Sequence, residues 1–106
     1  MYVITVLFTV LPAHRAEFLA AIVENAGTSL ENEPGCRQFD VCTAVNAVDE
    51  IFLYEIYDSE AAFAAHLASE HFGRFNEQTQ AWVKTKTVRA FLKSQAQEAF
   101  SRGRLL

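Results

Sequence analysis

The sequence predicts a single α+β domain in which helices cover one face of a four-stranded antiparallel sheet. Segments with the period-two alternation of strands occur near the start, in the middle and near the end of the chain. Longer segments with helical spacing separate them. The length of 106 residues gives room for one domain with a core of its own. Together these observations predict the α+β class.

The first half of the chain predicts a strand, a helix and a second strand. Residues 2–10 alternate aromatic and β-branched residues with threonines, which is typical of a strand. Pro12 is tolerated in a first helical turn, and residues 13–31 then carry apolar residues at helical spacing. The Pro34-Gly35 pair breaks that spacing and ends the helix. Residues 37–45 are predicted to form the second strand.

The second half begins with a strand that pairs with the preceding one. Residues 50–57 alternate as a strand, and the short linker before them suits a hairpin connection. Asp58 and Ser59 can cap a helix that begins near Glu60. This strand and helix complete the middle of the predicted domain.

A further helical stretch and a fourth strand complete the order. Helical spacing continues through Phe72, Phe75, Thr79, Trp82 and Val83. Residues 85–93 are predicted as the last strand. The order is therefore β-α-β-β-α-β, the ferredoxin-like arrangement, over residues 1–94, with a polar C-terminal tail over 95–106.

Composition and charge exclude several classes of protein. The net charge is −4 and the basic residues are scattered, so a nucleic-acid-binding surface is not predicted. The N-terminus has no secretory-signal pattern, and no apolar run reaches the roughly 18 residues of a membrane span. Cys36 and Cys42 match no metal or redox spacing, which favours reduced thiols in a cytoplasmic protein.

Both faces of the predicted sheet are apolar, which favours a homodimer. The third strand places Ile51, Leu53 and Tyr57 on one face and Phe52, Tyr54 and Ile56 on the other. Helices cover only one of these faces, so the second face needs another cover. A copy of the same chain is the simplest one.

Three ionisable residues are candidates for catalysis. Glu55 is the charged residue of an otherwise apolar strand, so it must be paired, hydrogen-bonded or protonated. An ion pair across a dimer interface with an arginine such as Arg37 or Arg89 is one explanation, and a catalytic or substrate-orienting role is another. His66 and His71 flank the break in the second helical unit, and histidine is the natural base near neutral pH.

Polar and aromatic residues suggest a pocket for a flat organic molecule. Asn25 interrupts an apolar line on the first helix that also includes Phe18, Ile22 and Ser29, so it either bonds backbone or faces a ligand. Further candidate substrate-binding residues are Tyr54, Phe39, Phe72 and Trp82. No metal site is predicted, because His66 and Glu70 at i and i+4 lack a third ligand. No flavin or nicotinamide motif is present either.

Three stretches resemble the antibiotic biosynthesis monooxygenase family. They are Glu33-Pro34-Gly35-Cys36, residues 53–63 (LYEIYDSEAAF) and residues 66–72 (HLASEHF), within a likeness that spans residues 1–93. The resemblance implies a ferredoxin-like subunit in a dimeric α+β barrel. It also implies a cofactor-independent monooxygenase that oxidises quinol-like or hydroxylated aromatic substrates with O2, the substrate supplying the electrons. His66 and His71 would then be candidate bases, and Asn25 and Tyr54 would orient the substrate or its oxyanion.

Other activities stay open at this point. The haem-degrading branch of the family is disfavoured, because its tryptophan and its haem-ligating histidine correspond here to His66 and roughly to Asn76. An isomerase of a small, phosphorylated carbonyl compound, resembling the autoinducer-2 processing enzymes, would suit Asn25 and Tyr54. A dimeric module that binds a hydrophobic ligand without converting it is the third alternative.

Overall fold

A computed structural model describes residues 1–97 and confirms the predicted ferredoxin-like fold. The elements are β1 (Tyr2–Val10), α1 (Arg15–Asn32), β2 (Cys36–Thr43), β3 (Glu50–Tyr57), α2 (Glu60–Leu67), α3 (Glu70–Thr79) and β4 (Val83–Leu92), with 3₁₀ turns at Pro12–His14 and Gln80–Trp82. The C-terminal tail predicted over 95–106 lies outside the described residues from residue 98 onward.

The four strands form one antiparallel sheet in the order β2-β3-β1-β4. Tyr2 of β1 is opposite Tyr57 of β3 on one side and Leu92 of β4 on the other. The pairing of β1 with β4 shifts by one residue after Thr9. The two central strands, β1 and β3, therefore supply most of the buried residues of the sheet.

The core lies between the helices and one face of the sheet. Phe18 and Ile22 of α1 are fully buried there, as are Val10 of β1 and Ile51 of β3. Phe18 meets Phe8 of the sheet and Phe75 of α3 edge to face, with ring centroids 4.9 and 5.8 Å apart. These rings join the sheet, α1 and α3 into one packed unit.

The second helical unit is shorter than its apolar spacing predicts. Ser59 caps α2 by accepting a hydrogen bond from the Ala62 amide, and Ser69 caps α3 by accepting one from Phe72. The helix α3 ends at Thr79, so Trp82 lies in a 3₁₀ turn and Val83 already begins β4. A run of helical spacing does not distinguish one continuous helix from a helix, a turn and a strand.

Gly35 fixes the approach of α2 to the turn before β2. A side-chain carbon at this position would lie 2.6 Å from the Cβ of Ala62. The Gly35 carbonyl also accepts a 2.9 Å hydrogen bond from the Asp58 amide. The end of α1 is thereby held beside the start of α2, which brings Glu33 close to the histidines discussed below.

The face of the sheet away from the helices carries large apolar side chains. Leu7, Phe52 and Phe91 on this face are 40%, 38% and 40% exposed. In addition, none of the helices within residues 1–97 is long and apolar enough to cross a membrane. The apolar face agrees with the alternation seen in the sequence, and the dimer that it favours stays a prediction.

Candidate functional site

A cavity lies between the three helices and the sheet. Including its opening to solvent it measures about 380 Å³. Its walls are mostly apolar and include Phe39 of β2, Phe63 of α2 and Phe72 of α3. Its polar lining residues are Asn25, Glu55, His66 and Lys86.

Glu55 projects from β3 into the cavity and is 3% exposed. The Tyr57 hydroxyl donates a 2.6 Å hydrogen bond to its Oε1. Burial raises the pKa of Glu55 to about 7, and this hydrogen bond offsets the effect in part. Within the described chain Glu55 pairs with neither arginine: Arg37 bonds Asp58 at 2.7 Å, and Arg89, opposite Thr5 of β1, belongs to the other face of the sheet. An ion pair of Glu55 across a dimer interface stays a prediction.

His66 is 2% exposed and is held by a carboxylate from another element. Its Nδ1 lies 2.9 Å from Oε2 of Glu33, just beyond the end of α1. The rings of Phe39, Tyr57 and Phe72 surround the imidazole with centroids 5.2 to 5.9 Å away. Burial in this aromatic cage lowers the pKa of His66, although the hydrogen bond with Glu33 acts in the opposite direction.

His71 shares the same carboxylate. Its Nε2 lies 2.5 Å from Oε2 of Glu33 and 3.1 Å from the Ser29 hydroxyl. The Ser69 hydroxyl is 3.3 Å from the same nitrogen. Both imidazoles can donate an N–H to Glu33, so the three residues form a continuous hydrogen-bonded group. Their donor atoms all lie within 4.8 Å of one another, close enough to share a cation.

Asn25 is buried on α1 and lines the cavity. Within the described part of the chain, its Oδ1 has no hydrogen-bond partner. A buried acceptor without a donor costs about 1–3 kcal/mol of stability. Of the two alternatives drawn from the sequence, the open oxygen favours a ligand over a bond to the backbone.

The structure brings most of the predicted site residues together, but not Tyr54 and Trp82. Tyr54 follows Leu53 in β3, and successive side chains of a strand alternate between its faces. Tyr54, which pairs with Thr5 of β1, therefore points away from the cavity. Trp82 stacks on His14, with ring centroids 5.4 Å apart, because α3 ends before it. Neither residue lines the cavity, and a role for either in substrate binding stays a prediction.

Two residues of the site were missed from the sequence. Glu33 reaches the histidines from 33 and 38 positions away, and no local pattern signals that contact. Glu70, which the sequence suggested as a metal ligand together with His66, is not part of the site. The helix α2 ends at Leu67, and Glu70 bonds Arg74 at 2.9 Å. The second missed residue is Lys86, an exposed residue of the edge strand β4 that also lines the cavity.

Comparisons with known proteins agree with this fold. Residues 1–78 match the sequence model of the antibiotic biosynthesis monooxygenase family. The chain belongs to that family. No curated protein matches the sequence.

Solved structures of similar proteins share the fold over nearly the whole chain. A candidate antibiotic biosynthesis monooxygenase from Nitrosomonas europaea is 24% identical, with a TM-score of 0.83 over 88% of this chain and 98% of its own. One from Caulobacter crescentus is 19% identical, with a TM-score of 0.85 over 89% and 90% of the two chains. At these identities the likeness shows the fold, and the chemistry must be argued from the cavity.

Proposed function

We propose that this protein is a cofactor-independent monooxygenase that oxidises a small hydroxylated aromatic compound with O2. The observation that carries the proposal is the Glu33–His66 pair beside an apolar cavity. A carboxylate on one ring nitrogen of a buried histidine is the arrangement that orients a general base. Membership of the antibiotic biosynthesis monooxygenase family supports the same reaction class.

His66 would act as the base through Nε2. When Nδ1 donates its proton to Glu33, Nε2 carries the lone pair. Within residues 1–97 no hydrogen bond engages Nε2, and His66 lines the cavity. The lowered pKa of His66 keeps the imidazole neutral near pH 7, ready to take a proton from a substrate hydroxyl.

The other polar residues of the cavity would hold the substrate and its anion. Lys86 places a cation near the rings of Phe8 and Phe72, 5.6 and 5.7 Å from their centroids, where it can attract a developing oxyanion. Glu55 in its protonated form can donate a hydrogen bond to the same anion. Asn25 Oδ1 can accept one from a second hydroxyl.

The reaction needs no electrons beyond those of the substrate. Loss of the hydroxyl proton to His66 gives an electron-rich aromatic anion, and its ring carbon forms a bond to O2. The resulting hydroperoxide loses water as its O–O bond breaks, and the ring carbon becomes a carbonyl. One phenol and one O2 therefore give one quinone and one water. Apolar walls suit this step because they exclude competing water.

An isomerase is the second candidate, and one observation favours it. Glu55, with a pKa of about 7, and a neutral His66 line the same cavity. An acid and a base in one apolar site can move a proton between two carbons of a carbonyl compound. Such a reaction would proceed without O2.

We also propose that the protein is a homodimer joined through the apolar sheet face. The exposed Leu7, Phe52 and Phe91 on this face support an interface with a second copy. Sedimentation at micromolar concentration would show a dimer of about twice the 11.9 kDa chain. A Phe52→Lys substitution would shift it to monomer, and a wild-type monomer at that concentration would contradict the proposal.

Oxygen consumption by metal-stripped protein tests the proposed reaction. The substrates are a panel of hydroquinones, naphthols and anthrones, and the variants are His66→Gln and the exposed-residue control His14→Gln. General-base catalysis contributes roughly 100- to 10,000-fold, so kcat should fall at least about 100-fold in His66→Gln and stay unchanged in the control. Turnover of a carbonyl substrate without oxygen uptake would favour the isomerase. Ligand binding without turnover would indicate a binding module.

A further inference from the structure

The three residues Glu33, His66 and His71 combine the ligand set of a known class of metal site. Each offers one donor atom, and the three come from different parts of the chain. Glu33 directly follows α1, His66 lies in α2 and His71 lies at the start of α3. Two imidazole nitrogens and one carboxylate bind Zn²⁺ and other divalent transition metals in many proteins. The exposed pair His14 and Glu17, 3.3 Å apart, offers only two donors.

The distances fit a single cation. Ligands about 2.1 Å from Zn²⁺ lie roughly 3.4 Å apart at the corners of a tetrahedron. The Glu33 carboxylate oxygens lie 2.9 and 3.2 Å from Nδ1 of His66, and Oε2 lies 2.5 Å from Nε2 of His71. Small side-chain movements would therefore open the group around an ion. The Ser29 hydroxyl, 3.1 and 3.4 Å from the two nitrogens, could supply a fourth oxygen.

The group is both held in place and reachable. Ser69 bonds the His66 carbonyl through its hydroxyl at 2.7 Å and through its amide at 3.1 Å, which ties α2 to the first turn of α3. The side chains of Glu33 and His71 are each 13% exposed. A cation from solvent can thus enter on their side without crossing the apolar cavity.

We propose that Glu33, His66 and His71 bind one divalent transition-metal cation, such as Zn²⁺, and that this binding switches off the base. The metal would take the lone pair of Nδ1 of His66, so the ring proton would move to Nε2. An imidazole protonated on Nε2 cannot accept a proton from the substrate. The metal site stands on the donor geometry alone, whereas the inhibition rests on the proposed function.

Metal binding is measured first, without reference to activity. Tag-free protein is stripped with chelator and titrated with Zn²⁺ by calorimetry and with Co²⁺ by visible absorption. We expect one ion per chain and the absorption of a four- or five-coordinate cobalt site. Changes in an outer-shell partner weaken metal binding roughly 10- to 100-fold, so loss of a direct ligand in His71→Ala or Glu33→Gln should weaken it at least about 100-fold.

Control variants and activity separate the two parts of the proposal. His14→Ala should bind like the wild type, and circular dichroism should show that each variant is folded. Absence of binding by the wild type, or unchanged binding in both ligand variants, would overturn the metal site. Oxygen uptake should fall at least about tenfold with saturating Zn²⁺ and recover with chelator. Binding without inhibition would overturn the switch, while wild-type protein that binds metal but never consumes oxygen would contradict only the proposed function.

Discussion

Substitution of Glu55 by Gln should change how stability depends on pH. The pKa of Glu55 is raised from 4.5 in an unfolded chain to about 7 in the folded protein, chiefly by burial. The folded state therefore binds a proton more tightly than the unfolded state does. Stability from this group is fully present below pH 4.5 and is lost as the pH rises through 7. Gln keeps the shape and the oxygen that accepts from Tyr57 but does not titrate.

The size of the effect follows from the two pKa values. A difference of about 2.5 units at 1.36 kcal/mol per unit gives about 3 kcal/mol. The free energy of unfolding of the wild type, measured relative to Glu55→Gln, should therefore fall by about 3 kcal/mol between pH 4.5 and pH 8. In small domains 1 kcal/mol corresponds to about 4–8 °C in melting temperature. The difference in melting temperature between the wild type and Glu55→Gln should therefore change by more than about 10 °C from pH 4.5 to pH 8.

Urea unfolding followed by fluorescence of Trp82, the single tryptophan, is a suitable assay. The comparison with Glu55→Gln cancels the pH dependence of groups that do not interact with Glu55. Glu24→Gln on the exposed side of α1 is the matched control, since it leaves the cavity intact. Parallel stability curves for wild type and Glu55→Gln would refute the assignment of a raised pKa.

Three further substitutions test the packing and the open acceptor. Gly35→Ala should lower the free energy of unfolding by about 1–3 kcal/mol in urea titrations, because the new methyl group would overlap Ala62; an unchanged value would contradict that close approach. Ser59→Ala should cost about 0.5–2 kcal/mol in the same assay through loss of the α2 cap, and Ser59→Asp, which can also cap, should restore most of it. Asn25→Leu should raise stability by about 1–3 kcal/mol, because it removes a buried oxygen that lacks a donor among the described residues, and it should weaken binding of a dihydroxy aromatic; a loss of stability would show that the oxygen is already satisfied.

Local patterns were sufficient to predict the elements and their order. The bounds of β1 and β3 match the predicted segments, since period-two alternation was clear in both. The same alternation puts Glu55 on one face with Leu53 and Tyr57, and in the structure this is the helix side, where the cavity lies. The apolar line through Asn25 likewise lies on the buried side of α1. These residues could be located because the period of a strand or a helix decides which nearby residues share a face.

Contacts between distant segments could not be predicted in the same way. Glu33 meets His66 and His71 only because Pro34-Gly35 turns the chain and α2 then packs on that turn. Trp82 was misplaced because apolar spacing persisted beyond the end of the helix at Thr79. Tyr54 was selected as an aromatic residue and then through the family resemblance, although its position in β3 put it on the opposite face from Glu55. Tertiary packing and strand alternation decided these cases.

The most direct test of the account asks whether the Glu33–His66 pair ionises a bound hydroxyl group. A naphthol is mixed with metal-stripped protein under nitrogen, at a pH where the free naphthol is neutral, and its absorption spectrum is recorded. Neutral and ionised naphthols absorb at different wavelengths, so the spectrum reports the state of the bound hydroxyl. We expect the ionised form with the wild type and with His14→Gln, and the neutral form with His66→Gln. A neutral bound naphthol in the wild type would contradict the account.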